Sequence, residues 1–196
     1  MKIIAVTDDK MEHRQLLDTL LAIDSSIDAV ILREKSKTDA EVILLIHQLS
    51  EAGFDTTKII VHARAHIAAM TGITKVQLPG GNSASLATST FGRSVHSFDE
   101  AQAAYQAGAD WVLYGHVFTT SSKEGVPPRG TEELFRITAS LPIPVYAIGG
   151  IQPQHLPALQ LGGVAGIALM SSIFSNNQPI ATLSAYREMI SCVATS

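Results

Sequence analysis

Histidines, two cations, serines and a glycine pair stand in this chain where short apolar runs end, and such groups grip an anion and move a proton. In "WVLYGHVFTT" (111–120) an apolar and aromatic run meets Gly115 and then His116. Histidine exchanges protons near neutrality, so a ring held at the mouth of a pocket suits acid/base chemistry, although a lone histidine at a strand end is more often structural. Alternation along this run puts Val112, Tyr114 and His116 on one side and Trp111, Leu113 and Gly115 on the other.

Arg33 and Lys35 are one pleat apart and share a side. Together they suit a carboxylate or phosphate, Arg through its planar fork and Lys as a point charge. The alternative is an exposed pair partly neutralised by Glu34, Asp28 or Asp8. Gly149 and Gly150 let a backbone come close to a ligand, and Ser171 and Ser172 offer amides and hydroxyls to phosphate oxygens. The bare motif "IGG" describes a tight turn equally well. Ser94, His62 and His96 close other apolar runs. Lys123 and Arg129 lie in the polar stretch 119–130, which reads either as a lid over an anion or as a surface loop. No histidine pair has a convincing metal spacing. His13, His47, His66 and His155 fall in or at the start of helical stretches.

The elements that must carry these groups alternate. Strands are predicted at 2–6, 28–34, 58–62, 75–78, 91–96, 110–116, 144–150 and 164–170. Helices are predicted at 12–23, 38–53, near 65–70, at 98–107, near 131–140, at 153–161 and at about 178–191. The segment "PGGNSASLATST" after strand four carries at most one or two helical turns. Thr38 with Glu41 and Ser97 with Glu100 form capping boxes, and Gly53 and Gly108 end their helices. Continuously apolar strands are buried on both faces and therefore parallel. Eight such βα units predict a compact (β/α)8 TIM barrel in one domain over residues 1–196, near the short end of that fold. The rival is an open doubly wound sheet, but "VTDD" follows strand one where a dinucleotide fold has its glycine fingerprint. In the barrel the groups that close the apolar runs fall at the C-terminal rim, and phosphate commonly binds between the loops after strands seven and eight.

Bulk composition narrows the rest. The net charge is −4 and hydrophobic residues make up 46%. That describes a globular chain and argues against a bulk nucleic-acid or membrane binder. No apolar run nears the ~18 residues that span a bilayer. Cys192 is the one cysteine, so no internal disulfide forms, and with no export signal in "MKIIAVTDDK" a reducing cytoplasm is expected.

Taken in order, "VILREKS", "VQLP", "GRSVHS", "GADWVLYGHVFTTSSKEG", "PVYAIGGI" and "GIALMSSIF" resemble the thiamin phosphate synthase superfamily, and most of all its thiazole tautomerase, TenI-type branch. The resemblance implies a (β/α)8 barrel that handles phosphorylated thiamin precursors. It departs from the synthase branch at particular positions. Ile31 stands where the synthase has Gln, and His62–Ala63 where it has an Asn-Asp pair. "LPGGNS" lacks the second magnesium-ligating Asp, and Gly115–His116 replaces Gly-Pro. By resemblance His116 is then the acid/base of a tautomerase that needs no cofactor and no metal. The resemblance also implies a phosphorylated thiazole as substrate, which Arg33, Lys35, Ser94, Lys123, Gly150, Ser171 and Ser172 are expected to hold. Family members are often homodimers, although no interface signal stands in the sequence. Two other readings fit the same residues: a magnesium-dependent thiamin phosphate synthase, and a non-catalytic regulatory protein that binds thiazole phosphate.

Overall fold

Eight parallel strands follow one another around a closed barrel, with helices on its outside. The computed structural model describes residues 1–81, 89–120 and 123–194. The strands are β1 (Lys2–Val6), β2 (Ala29–Leu32), β3 (Ile59–His62), β4 (Lys75–Leu78), β5 (Thr90–Val95), β6 (Trp111–Gly115), β7 (Val145–Ile148) and β8 (Gly166–Leu169). The decisive pairing is that of β1, which takes β2 on one side (Ile4 opposite Ala29) and β8 on the other (Ile3 opposite Ile167). An open doubly wound sheet has no such closure.

Eight helices are described: α1 (His13–Ile23), α2 (Asp39–Glu51), α3 (Ala65–Thr71), α4 (Phe98–Gln106), α5 (Glu132–Ser140), α6 (Leu156–Leu161), α7 (Ser171–Phe174) and α8 (Pro179–Ala194). Residues 82–88, most of the turn-rich segment after strand four, lie outside the described residues. The α2 capping box is complete, with the Glu41 amide donating to Thr38 and the Thr38 amide to Glu41. The cap of α4 is split: the Glu100 amide donates to Ser97 Oγ, while the Glu100 carboxylate accepts from the His96 amide. This borrows the capping carboxylate to fix His96, the residue before the N-cap, which is also a rim residue.

Each strand buries both faces. Ile4, Val6, Ile31, Ile60, Trp111, Leu113, Tyr146 and Ala168 fill the barrel interior. Val30, Leu32, Val61, Val112, Tyr114 and Ala147 pack outward among helix residues such as Leu16, Leu45 and Leu134. Trp111 fits inside because its neighbour on β5 is Gly92, where a Cβ would collide with the indole. Its Nε1 donates to Gln77 Oε1 at 2.8 Å, and Gln77 Nε2 donates to Ser94 Oγ at 3.1 Å. A buried relay thus runs from the barrel centre to the rim and satisfies each polar group on the way.

Several strands are shorter than the sequence expectation: β7 (Val145–Ile148) against 144–150, β8 (Gly166–Leu169) against 164–170, and β2 at both ends. β2 stops at Leu32 rather than at residue 34, because the Arg33 amide leaves the ladder for Thr7 Oγ1 at 2.8 Å. The four-residue helix α7 opens directly after β8, where the sequence shows only two serines.

Candidate active site

A cavity of about 380 Å³ opens at the C-terminal ends of the strands. Arg33, Lys35, Ser94, His116, Lys123, Gly150, Ser171 and Ser172 all line it, together with His62, Gln77 and His96. The apolar floor is Val6, Ile31, Leu113, Ile148 and Ala168. Among the described lining residues there are three permanent cations, Arg33, Lys35 and Lys123, and no carboxylate.

His116 sits just past the end of β6 and is 8% exposed. Strict alternation groups it with Val112 and Tyr114, which face the helices. The structure corrects this: the imidazole lines the cavity with Leu113 and Gly115. The period of two holds only while the chain stays in the strand, and β6 ends at Gly115. What holds the ring there is close packing of β6 against β7. A Cβ on Gly149 would stand 2.5 Å from His116 Cβ, and one on Gly115 would meet Ile148. The glycine pair therefore admits the protein's own chain as well as a ligand. Gly150, at φ +64°, lies so close to Phe118 and Thr119 that no side chain fits.

Two further contacts fix the acid/base candidate. His96 Nδ1 bonds the carbonyl of Gly115 at 2.5 Å, which anchors the peptide before His116. His116 Nε2 lies 3.3 Å from the carbonyl of Val126. A carbonyl oxygen only accepts, so this contact selects the tautomer with hydrogen on Nε2 and leaves Nδ1 basic. Val126 belongs to the loop after β6, which folds back over the ring: the Arg129 amide donates to the carbonyl of His116, and the Gly130 amide to that of Val117. Lys123 reaches the cavity from the same loop, while Ser121 and Ser122 lie outside the described residues.

At the opposite rim β2 and β3 end side by side. Ala63, at φ +61°, turns the chain after His62 so that Arg64 comes back over β2. Arg64 Nη2 donates to the carbonyls of Glu34 at 2.9 Å and Lys37 at 2.8 Å, clamping the loop that carries Arg33 and Lys35. His62 is mostly buried beside these cations. Burial first, then Arg33, Lys35 and Arg64, push its pKa down to about 4. Sequence reasoning placed His62 at the rim without a role, because its electrostatics come from two other segments that only the fold assembles.

The remaining histidines with described contacts are structural. His13 bonds Gln48, His66 pairs with Asp39, and His155 stacks on Phe118 with ring centroids 3.8 Å apart. Thr120, Pro79, Gly80 and Met170 also line the cavity and carry no signal in the sequence that sets them apart.

The fold and the rim define a class: a (β/α)8 barrel whose mouth presents cations, imidazoles and main-chain amides to a small anion. The chain belongs to the thiamine monophosphate synthase family, whose model matches residues 3–173. It is 33% identical over 172 residues to a thiamine-phosphate synthase of Methanoregula boonei, covering 83% of this chain and 80% of that one. A thiamine-phosphate synthase of Anaeromyxobacter dehalogenans is 30% identical over 166 residues, with 81% and 75% covered. Among solved structures, thiamine phosphate pyrophosphorylase from Pyrococcus furiosus superimposes with a TM-score of 0.80 at 26% identity, covering 98% of this chain and 96% of that one. No described helix is long and apolar enough to cross a membrane.

Proposed function

We propose that this chain is a thiazole tautomerase, an isomerase of thiamin biosynthesis. Its substrate is the carboxylated thiazole phosphate with an exocyclic double bond. A proton leaves ring C2 and another is added at the exocyclic carbon, so the ring becomes aromatic. Aromatisation supplies the driving force, and the protein has only to position an acid/base and clamp two anionic groups. The amides and hydroxyls of Gly150, Ser171 and Ser172 take the phosphate, where this fold commonly holds one. Arg33 and Lys35 face the carboxylate, Lys123 adds charge from the β6 loop, and Ser94 borders the ring. His116 moves the proton, with Nδ1 as base and the resulting imidazolium as acid.

The observation that carries this reading is the imidazole of His116 facing a cavity that no described carboxylate lines. The test is His116→Asn. Isomerisation should slow by about 10²–10⁴-fold, the usual worth of a general acid–base group, while thiazole phosphate affinity stays within a few-fold. A variant as fast as the parent removes His116 from the chemistry.

The names of the relatives favour a second reading, condensation of a pyrimidine pyrophosphate with a thiazole phosphate. That reaction calls for Mg²⁺, a cation of carboxylate and phosphate oxygens. Among the described residues no group of three His, Cys, Asp or Glu side chains suits a metal, and the cavity lining offers no carboxylate. The residues present therefore do not fit the ion. Incubation with both precursors and Mg²⁺ separates the readings: magnesium-dependent coupling favours the synthase, and isomerisation without added metal favours the tautomerase.

A further inference from the structure

His62 ends β3 in the cavity wall, beside the two cations that follow β2. Its surroundings are unusual for a histidine because every charge near it that faces the cavity is positive. Arg33 and Lys35 come from the end of β2, and Arg64 from its own loop. Gln77 of β4 is neutral, and across the cavity stand His96, His116 and Lys123. The neighbouring acids are engaged elsewhere. Glu34, which shares a smaller side cavity with His62, pairs through Oε2 with Lys37 and keeps Oε1 buried without a hydrogen-bond partner, and Asp39 pairs with Arg64 at 3.1 Å and with His66. The β2–β3 end of the cavity thus gathers basic groups, and one of them, the His62 ring, is held neutral by burial and by its charged neighbours.

We propose that His62 is a specificity-determining residue for ligands that carry a second anionic group besides phosphate: it takes a proton from solvent as that group settles between it, Arg33 and Lys35, and returns the proton on release. The proposal rests on the thiazole phosphate reading of the cavity and extends it to the discrimination of carboxylated from decarboxylated ligands. In the empty cavity burial and the cations hold the ring neutral, so it does not repel Arg33 and Lys35. A bound carboxylate reverses that field. An opposite charge within hydrogen-bonding reach raises a pKa by about 1–3 units, which brings the ring into the range where it charges between roughly pH 5 and 7. A ligand with phosphate alone, held at Gly150, Ser171 and Ser172, leaves the ring neutral.

The test is calorimetric binding of carboxythiazole phosphate and of the same thiazole phosphate without its carboxylate. It is run from about pH 8 to about pH 5 in two buffers of different ionisation heat. The decarboxylated ligand cancels the titration of the phosphate itself. For the carboxylated ligand we expect proton uptake and an affinity that rises as pH falls from 7 to 5. The gain beyond that of the decarboxylated ligand approaches tenfold per pH unit, the limit for one linked proton. His62→Gln should abolish that extra gain and the uptake while leaving the decarboxylated ligand's Kd unchanged. His62→Asn provides a second variant, and the two-ligand comparison in the parent protein stands without either. Equal pH profiles for the two ligands, or profiles unchanged in both variants, overturn the role of His62 and leave the thiazole phosphate reading standing. Failure of both ligands to bind overturns both.

Discussion

His116 and His62 show how one residue type meets different environments within one cavity. His116 is placed by backbone, pressed against Gly149 and facing the carbonyl of Val126. His62 is set by its surroundings, burial first and then three cations, acting on a ring at the ends of β2 and β3 across the mouth. Only the first was legible in the sequence, because a histidine after a strand-ending glycine is a local pattern and a field from Arg33, Lys35 and Arg64 is not. The burial of this ring, together with those cations, has a cost in acid. The folded pKa of His62 lies near 4, below its unfolded value of 6.5, so the unfolded chain binds the extra proton between those values. Stability from this group is fully present above about pH 6.5 and is lost as pH falls through 4. Urea unfolding from pH 7 to pH 4 should show a falling free energy, with a shallower fall in His62→Gln. An equally steep fall in the variant would assign the acid sensitivity to other groups.

The element that matters most is the β6–β7 pair, whose ends place the proposed acid/base ring and the proposed phosphate loop in contact. Apolar runs and helix caps made both strands legible, and the glycines after β7 suggested close approach of a ligand. The sequence could not show that β6's own chain makes the approach, since Phe118 and Thr119 lie far from Gly150 along the backbone. Gly150→Ala adds a Cβ at φ +64° and drives it into that backbone. The variant should lose more than about 1 kcal/mol of stability and also bind thiazole phosphate more weakly. Thermal unfolding and calorimetry on the same sample check both, and an unperturbed affinity would place the phosphate away from this loop. The short α7 was not legible because four residues hold too little periodicity, and the overlong reading of β2 failed because the Arg33 amide finds Thr7 instead of the ladder.

Across the whole molecule the charges are divided. The chain carries a net −4, yet the described cavity lining holds three cations and no carboxylate. Alternating strands and helices made the closed barrel legible, and the barrel gathers residues from 6 to 172 into one mouth. An anion there feels a local positive potential against a negative background, and salt screens it over about 10 Å at 0.1 M. Raising salt from about 0.05 to about 0.5 M should therefore weaken ligand binding several-fold while changing urea stability little. Salt-independent binding would mean that the anionic groups do not meet Arg33, Lys35 or Lys123. The central claim, however, concerns one ring and two bound carbons. A crystal structure with aromatic carboxythiazole phosphate tests it most directly. The account predicts the phosphate on Gly150, Ser171 and Ser172 and the His116 imidazole within about 3.5 Å of ring C2 or the former exocyclic carbon. A ligand seated with its phosphate elsewhere, or with the imidazole turned away from both carbons, would contradict it.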